Sequence, residues 1–489
     1  MTPLSEIAER AARGTLWHAL AQGTVMLSAY VVAVVLARSL GPAAYGVYGL
    51  VYSLLLTVEL VGRLGIPQAT SRLLAETPGD TSRLEATGFG LALGVYLGLF
   101  VGFWLLAPEL ARLFGLDPAS GSRLLRLAAL DIPVFGLFFM AVHVLNGHRA
   151  FAREACAQIV YALAKAFGIL LLALLGASIE GALLVNVAGS LLGLLLLFRL
   201  LGRVRLALDP AWLGRILTLA LPIGLTGLGT QVTTGVDLWS LGLFGTVPEE
   251  VRGHYVAALG IARMPNLLAF VLTAVLIPSL ARALAGGEIA TARRTLEASL
   301  RFLALTLLPG CVVVAIEAEP LIVLLFSEAY RSGGPLLRLL ILGHGLANTL
   351  FVASTAVLIA IGAQHAAALL ALLAVPTAFL ANALLVPVLG ATGAATAAIL
   401  VPAMMTTAAG LLLHRRLGLD TLPGLLRRAM VPIGGLALVA AAIPTSGLWL
   451  LGELALLALL WPPLALAVGL LGQEDLALLR RPVRTRAVH

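Results

Sequence analysis

Long stretches with almost no charge recur from one end of the chain to the other, and they limit what it can fold into. Ile169 to Leu175 and Leu191 to Phe198, for example, contain no polar side chain. A helix needs about 20 mostly apolar residues to cross the ~30 Å hydrocarbon core of a bilayer. Cutting the sequence at its charged and Pro/Gly-rich breaks gives segments near 14–38, 44–62, 84–106, 123–145, 152–175, 178–201, 213–240, 250–280, 296–317, 334–361, 365–387, 391–413, 428–444 and 447–470. The expected fold is all-α and integral to the membrane, with about fourteen transmembrane helices. Composition excludes a soluble alternative. The 489 residues are 60% hydrophobic and 11% charged, with a mean hydropathy of +1.02, where soluble domains are about half apolar and a quarter charged.

The formal charge of +8 and pI near 10.1 would point to nucleic acid in a soluble protein. Here the basic residues are nearly all arginines, Lys165 being the only lysine, and they lie in short clusters between apolar segments. Cytoplasmic loops explain that pattern, and no nucleic-acid partner is expected. With the N-terminus inside, the inner connections carry Arg63, Arg72 and Arg83; Arg149 and Arg153; Arg199, Arg203 and Arg205; Arg282, Arg293 and Arg294; and Arg415, Arg416, Arg427 and Arg428. The tail adds Arg480, Arg481, Arg484 and Arg486, whereas the opposite face keeps about seven arginines, among them Arg38, Arg112 and Arg331. Both termini are therefore expected in the cytoplasm, with the chain in the plasma (inner) membrane. The stretch Gly14 to Leu36 is too long for a signal-peptide core and reads as a retained first helix.

The two halves repeat one another. Gly46-Val-Tyr48 returns as Gly253-His-Tyr255, Arg72-Leu-Leu-Ala as Arg282-Ala-Leu-Ala, and Pro108-Glu-Leu-Ala-Arg-Leu-Phe114 as Pro320-Leu-Ile-Val-Leu-Leu-Phe326. Leu124-Leu-Arg-Leu127 returns as Leu336-Leu-Arg-Leu339, and Gly176-Ala-Ser as Gly390-Ala-Thr. Six helices separate the copies, and an even number restores the same orientation, so the repeat is parallel. The expected lobes are 1–206 and 207–414, followed by an extra helix pair and basic tail at 415–489. Such repeats place a substrate site between lobes that rock in alternating access.

Val35-Leu-Ala-Arg-Ser-Leu-Gly-Pro-Ala-Ala-Tyr-Gly-Val-Tyr48 and Gly65-Ile-Pro-Gln-Ala-Thr-Ser-Arg-Leu-Leu-Ala-Glu76 resemble the opening of Wzx-type polysaccharide transporters, in the multidrug/oligosaccharidyl-lipid/polysaccharide exporter superfamily. The resemblance continues at Gly242 to Tyr255, at Ala107 to Phe114 and in the helix plan. It implies a flippase that moves an undecaprenyl-diphosphate-linked sugar from the cytoplasmic to the outer leaflet, with membrane lipid and polysaccharide assembly proteins as partners. Lipid II flippases and ion-coupled drug antiporters are its relatives. The C-terminal helix pair favours the lipid-substrate branches.

Ionisable groups deep in lipid cost about 2.5 to 3.5 kcal/mol each on insertion scales, so they normally face a cavity or a partner. Arg263, beside Pro265 and Asn266, could hold a diphosphate by paired hydrogen bonds or form a structural ion pair. Asn266 would offer its amide at the same depth. Glu59 could pair with Arg63, four residues on, or with Arg263 across a cleft. Lys165 could bind an anion or pair with Asp131. The resemblance marks Asp237 as a place where an acidic group could bind a coupling H+ or Na+; a position facing the outer vestibule is the other reading. His18, His143 and His344 are scattered over separate helices, so neither metal nor cofactor is expected. No Ser-His-Asp or Cys-His set is recognisable, and the outer loops are too short for a membrane glycosyltransferase or polymerase. The expected function is transport rather than catalysis.

Overall fold

The structure, a computed structural model, describes residues 4–63, 65–202, 204–245, 247–266, 280, 286, 289–417, 421–443 and 446–467. The second half of the 250–280 segment, Arg203, Arg282, Asp420 and the basic tail fall outside them. The described residues are almost entirely helical and form two compact units, Met1–Gly253 and His254–His489.

The first unit contains α1 (Leu4–Arg63), α2 (Ile66–Glu76), α3 (Ser82–Leu113), α4 (Pro118–Ala129), α5 (Asp131–Gly147), α6 (Phe151–Leu175), α7 (Ile179–Leu201) and α8 (Pro210–Leu243). α9 (Glu249–Ala262) begins in it. α1 holds two of the expected segments, divided at Gly41, whose φ of 75° and ψ of 170° leave the helical region before Pro42. Glycine alone takes that φ without steric cost, and proline is tolerated where a new helix starts.

One boundary differs from the sequence reading. The stretch taken as a cytoplasmic loop after residue 62 is helical. α2 resumes after Gly65 and buries Ile66, Ala69, Thr70, Leu73 and Leu74, because these apolar residues recur at helical spacing. Arg63 therefore stands at a break within a helix pair rather than in a loop. Within the first unit, α8 packs against α1, α2 and α3.

The second unit contains the remainder of α9, then α10 (Ile289–Ile316), α11 (Ala318–Phe326), a 3-10 turn (Glu328–Gly333), α12 (Gly334–Leu340), a π-turn (Ile341–Asn348) and α13 (Thr349–Ala360). It continues through α14 (Gln364–Leu389), α15 (Ala391–Leu417), α16 (Thr421–Ala442) and α17 (Trp449–Ala467). Its core is built by Phe351, Leu358, Leu370, Ala374, Met405 and Leu413. The final pair joins it where Leu436, Ala440 and Leu457 meet Val313 of α10.

The repeat is visible in the breaks. α4 and α5 part at Leu130, and the matching helix in the second unit is interrupted by the π-turn at Ile341–Asn348. Gly176 and Gly390 end α6 and α14 with positive φ, 111° and 58°. The copies diverge at the proline they share: α3 runs through Pro108, whereas α10 and α11 bend by 78° just before Pro320.

Nine described helices are long and apolar enough to cross a membrane, ten if the bent pair counts as one span. Their apolar side chains point outward, Leu174 being 84% and Val388 79% exposed. Only lipid makes that exposure favourable. The chain is a multi-pass membrane protein.

Candidate functional site

Tyr45, Tyr48, Tyr52, Glu59 and Arg63 follow one another at spacings of three, four, seven and four, which places them on one face of the second half of α1. The three tyrosine rings stack, with centroids 6.3 Å and then 5.5 Å apart. Below them, Lys165 of α6 donates to the Tyr161 hydroxyl at 3.0 Å and to the Tyr52 hydroxyl at 3.5 Å. Its ammonium also lies 5.0 Å and 5.7 Å from the two ring centroids, a cation–π contact with each. Gly189 of α7 makes room for the lysine stem, since a Cβ there would stand 2.4 Å from Lys165 Cγ.

Behind this partly exposed layer are two buried carboxylates. Glu59 is 2% and Asp131 is 1% exposed. Asn186 of α7 donates its amide to Asp131 Oδ2. The charges that act on Glu59 are those of Asp131, Arg63 and Lys165. Glu59 forms no ion pair within 4 Å among the described residues, and Arg63 lays its guanidinium over Phe139 at 4.1 Å and Phe135 at 5.4 Å instead. Two acids and two cations thus balance within one unit, as buried charge requires. The cations, Arg63 and Lys165, lie toward the partly exposed side and the acids are sealed.

Tyr96, 1% exposed, backs the cluster from α3 and fills the notch left by Gly136. A Cβ at Gly136 would lie 2.4–2.5 Å from three Tyr96 ring carbons. Gly136→Ala should therefore lower stability by about 1–3 kcal/mol through overpacking. Gly94→Ala, with nothing within 4 Å, should leave it unchanged. Thermal unfolding of the detergent-purified protein checks the pair.

In the second unit, Arg263 and Asn266 lie on the turn that follows α9, both partly buried. The Asn266 amide donates to the Arg263 carbonyl at 3.2 Å. Its carboxamide oxygen accepts from the Thr349 hydroxyl at 2.7 Å and from Asn348 at 3.5 Å, where the π-turn gives way to α13. Asp237 is buried in α8, 3% exposed, two residues before Trp239, whose indole donates to Ser53 at 3.2 Å. A cavity of about 340 Å³ opens elsewhere in the first unit, between Asp80, Glu85 and Arg205, and holds none of these residues. Among the described residues no three His, Cys, Asp or Glu side chains approach as metal ligands would.

A family model described as polysaccharide biosynthesis protein matches residues 11–284, more than half of the chain. The chain belongs to that family. No curated protein sequence matches it. Among solved structures, the lipid II flippase MurJ in an inward closed conformation superposes with a TM-score of 0.77 at 14% identity, over 92% of this chain and 98% of that one. The inward-facing conformation of a multidrug resistance MATE transporter of the MOP superfamily gives 0.68 at 16%, over 81% and 94%. A MOP superfamily transporter from Pyrococcus furiosus, described as having a binding pocket of reverse polarity, gives 0.56 at 14%, over 84% and 95%. At these identities the likeness establishes the fold, which is that of the MOP transporters.

For this polysaccharide biosynthesis protein, the structure brings Glu59, Arg63, Asp131 and Lys165 into one cluster and places Arg263 with Asn266. Sequence reading missed Tyr52, Tyr161, Asn186 and Thr349. Tyr161 stands four residues before Lys165 on the same helical face, and Asn186 is a lone amide in an apolar segment. Both were detectable signals. Tyr52 and Thr349 gave none, because their contacts join segments more than 80 residues apart.

Proposed function

We propose that the protein carries a polyprenyl-diphosphate-linked oligosaccharide from the cytoplasmic to the outer leaflet by alternating access between lobes 1–206 and 207–414. The observation that carries this reading is the layer formed by Lys165, Arg63, Tyr52, Tyr161, Phe135 and Phe139, in which cations and rings lie partly exposed over sealed carboxylates. Cations suit a diphosphate, and ring faces suit the apolar faces of sugars. Arg263 and Asn266 supply a guanidinium fork and an amide from the second unit. Glu59 and Asp131 hold the cations in place, and Asp237 binds the coupling H+ or Na+. The protein performs no covalent chemistry. It works in the plasma membrane with both termini cytoplasmic, beside polysaccharide assembly proteins. A drug antiporter or a lipid II flippase is the competing transporter reading.

The charge distribution supports that orientation. Arginines are paired on both sides, Arg112 with Glu109 and Arg123 with Glu180 on the proposed outer side and Arg72 with Glu76 and Arg293 with Glu297 on the inner, so the orientation rests on the larger number of arginines in the inner connections. Reporter fusions should read outside after Leu116 and Gly390 and inside after Gly202.

The testing experiment is flipping in proteoliposomes. A fluorescent polyprenyl-diphosphate glycolipid should be moved and a cationic drug should not. Transport of the drug alone would replace this reading with antiport. A diphosphate carries about two negative charges, and each gains about 2.3 kcal/mol per 100 mV in leaving an inside-negative compartment. An imposed potential should therefore accelerate flipping. Dependence on an ion gradient alone, abolished in Asp237→Asn, would assign the drive to ion exchange.

A further inference from the structure

One end of the first unit is closed by bare backbone. At Gly46 of α1 a Cβ would lie 2.3 Å from the Glu249 carbonyl oxygen and 2.6 Å from the Gly253 amide nitrogen. At Gly253 it would lie 1.8 Å from the Pro42 carbonyl oxygen, and at Gly242 of α8 2.2 Å from the Phe114 carbonyl oxygen. Three glycines thus let α1, α8, α9 and the α3–α4 turn meet main chain to main chain. The atoms nearest these three glycines are all main-chain, so parting the helices there breaks backbone contact. Gly46 and Gly253 are also repeat equivalents, so like surfaces meet and separate together.

Across this seam lies a buried cation. Arg252 is 4% exposed and donates from Nη1 to the carbonyls of Gly115 at 3.2 Å and Phe114 at 3.4 Å, the C-terminal end of α3. A cation suits the negative end of a helix. The attachment is nevertheless weak for a buried guanidinium, because its contacts are long and its buried Nε finds no hydrogen-bond partner among the described residues. The nearest opposing charge acting on it is Glu249, on its own helix. Two long contacts and an orphaned Nε hold a guanidinium less firmly than a full set of short bonds would.

We infer that Gly46, Gly242 and Gly253 form the closed gate at this end of the transporter and that Arg252 is its latch, released from the α3 C-terminus each time the gate opens. The inference rests on the alternating-access reading above, in which this end faces outward. It adds which contact must break. Leu50, fully buried, lies one turn from Gly46 on the same face of α1 and reports the state of the seam.

The test uses Leu50→Cys in a background of Cys156→Ala and Cys311→Ala, labelled with a membrane-impermeant maleimide in intact cells and in inverted vesicles. Labelling from outside should be slow. Arg252→Met should accelerate it roughly tenfold, the shift expected for one lost charged hydrogen-bond contact, and Arg252→Lys should fall between. Gly46→Ala, which wedges the seam, should accelerate it further. Lowered thermal stability of Arg252→Met and Gly46→Ala with unchanged labelling of the folded protein would make the seam a permanent contact and overturn the gate. Acceleration seen only in inverted vesicles would keep the gate and overturn the orientation.

Discussion

Lys165→Met should abolish flipping, by more than about 100-fold, and lower thermal stability as well. The Lys165 ammonium is shared between Tyr161 and Tyr52 while acting on both sealed carboxylates of the first unit, Glu59 and Asp131. Removing one partner of a buried charge pair costs about 3–5 kcal/mol, because the other charge is left uncompensated. The partial exposure of Lys165 puts the expected loss at or below the lower end of that range. Arginine is a poor substitute despite its charge, since its broad head must share the notch that Gly189 opens for a slender stem. Adding Asp131→Asn to Lys165→Met separates the two roles. Asparagine can still accept from Asn186 but carries no charge, so the double variant should regain stability. If it also regains flipping, the lysine serves only to neutralise Asp131, and its contact with the head group is withdrawn. Melting temperature and single-turnover flipping in proteoliposomes give the two readouts.

Arg263→Ala should have a comparable effect on flipping and almost none on folding. The residue sits on the turn after α9 and is only partly buried, so truncation leaves no large cavity. Flipping should fall more than about 100-fold, in line with the 2–5 kcal/mol lost when one partner of a hydrogen-bonded charge pair is truncated. Arg263→Lys should recover part of this, because the charge returns without the planar fork. A purely neutralising role predicts a different outcome: Arg263→Ala combined with Glu59→Ala would recover activity. Glu59 already has Arg63 and Lys165 acting on it within its own unit, so no recovery is expected. Headgroup binding measured with a soluble diphosphate sugar checks the assignment independently of turnover.

Much of the fold could be read from the order of residues because lipid imposes a simple rule. Every buried backbone group must bond within its own helix, so apolar length translates directly into spans. The break at Gly41-Pro42 between the first two segments and the helix ends at Gly176 and Gly390 followed from glycine, proline and the internal repeat. The continuation of α2 past Gly65 did not. Arg72 and Glu76 made that stretch look like a loop, whereas its apolar face is buried against α5 and α8 and the charged pair stays on the other side.

The candidate site divides along the same line. Sequence alone marked Glu59, Asp131, Lys165, Asp237 and Arg263 as charges costly enough in lipid to need a partner, with Arg63 as a candidate partner, and did not mark the buried Arg252. It left the partners open, offering Glu59 either Arg63 at a four-residue spacing or Arg263 across a cleft, and Lys165 either an anion or Asp131. Tertiary structure alone decided that Arg63 turns onto Phe135 and Phe139, that Asn186 holds Asp131, that Thr349 holds the Asn266 amide, and that Arg252 reaches the end of α3. Each of these contacts joins helices distant in the chain. Apolar periodicity fixes which face of a helix is buried but not which neighbour it meets, and that choice is made only when the helices pack.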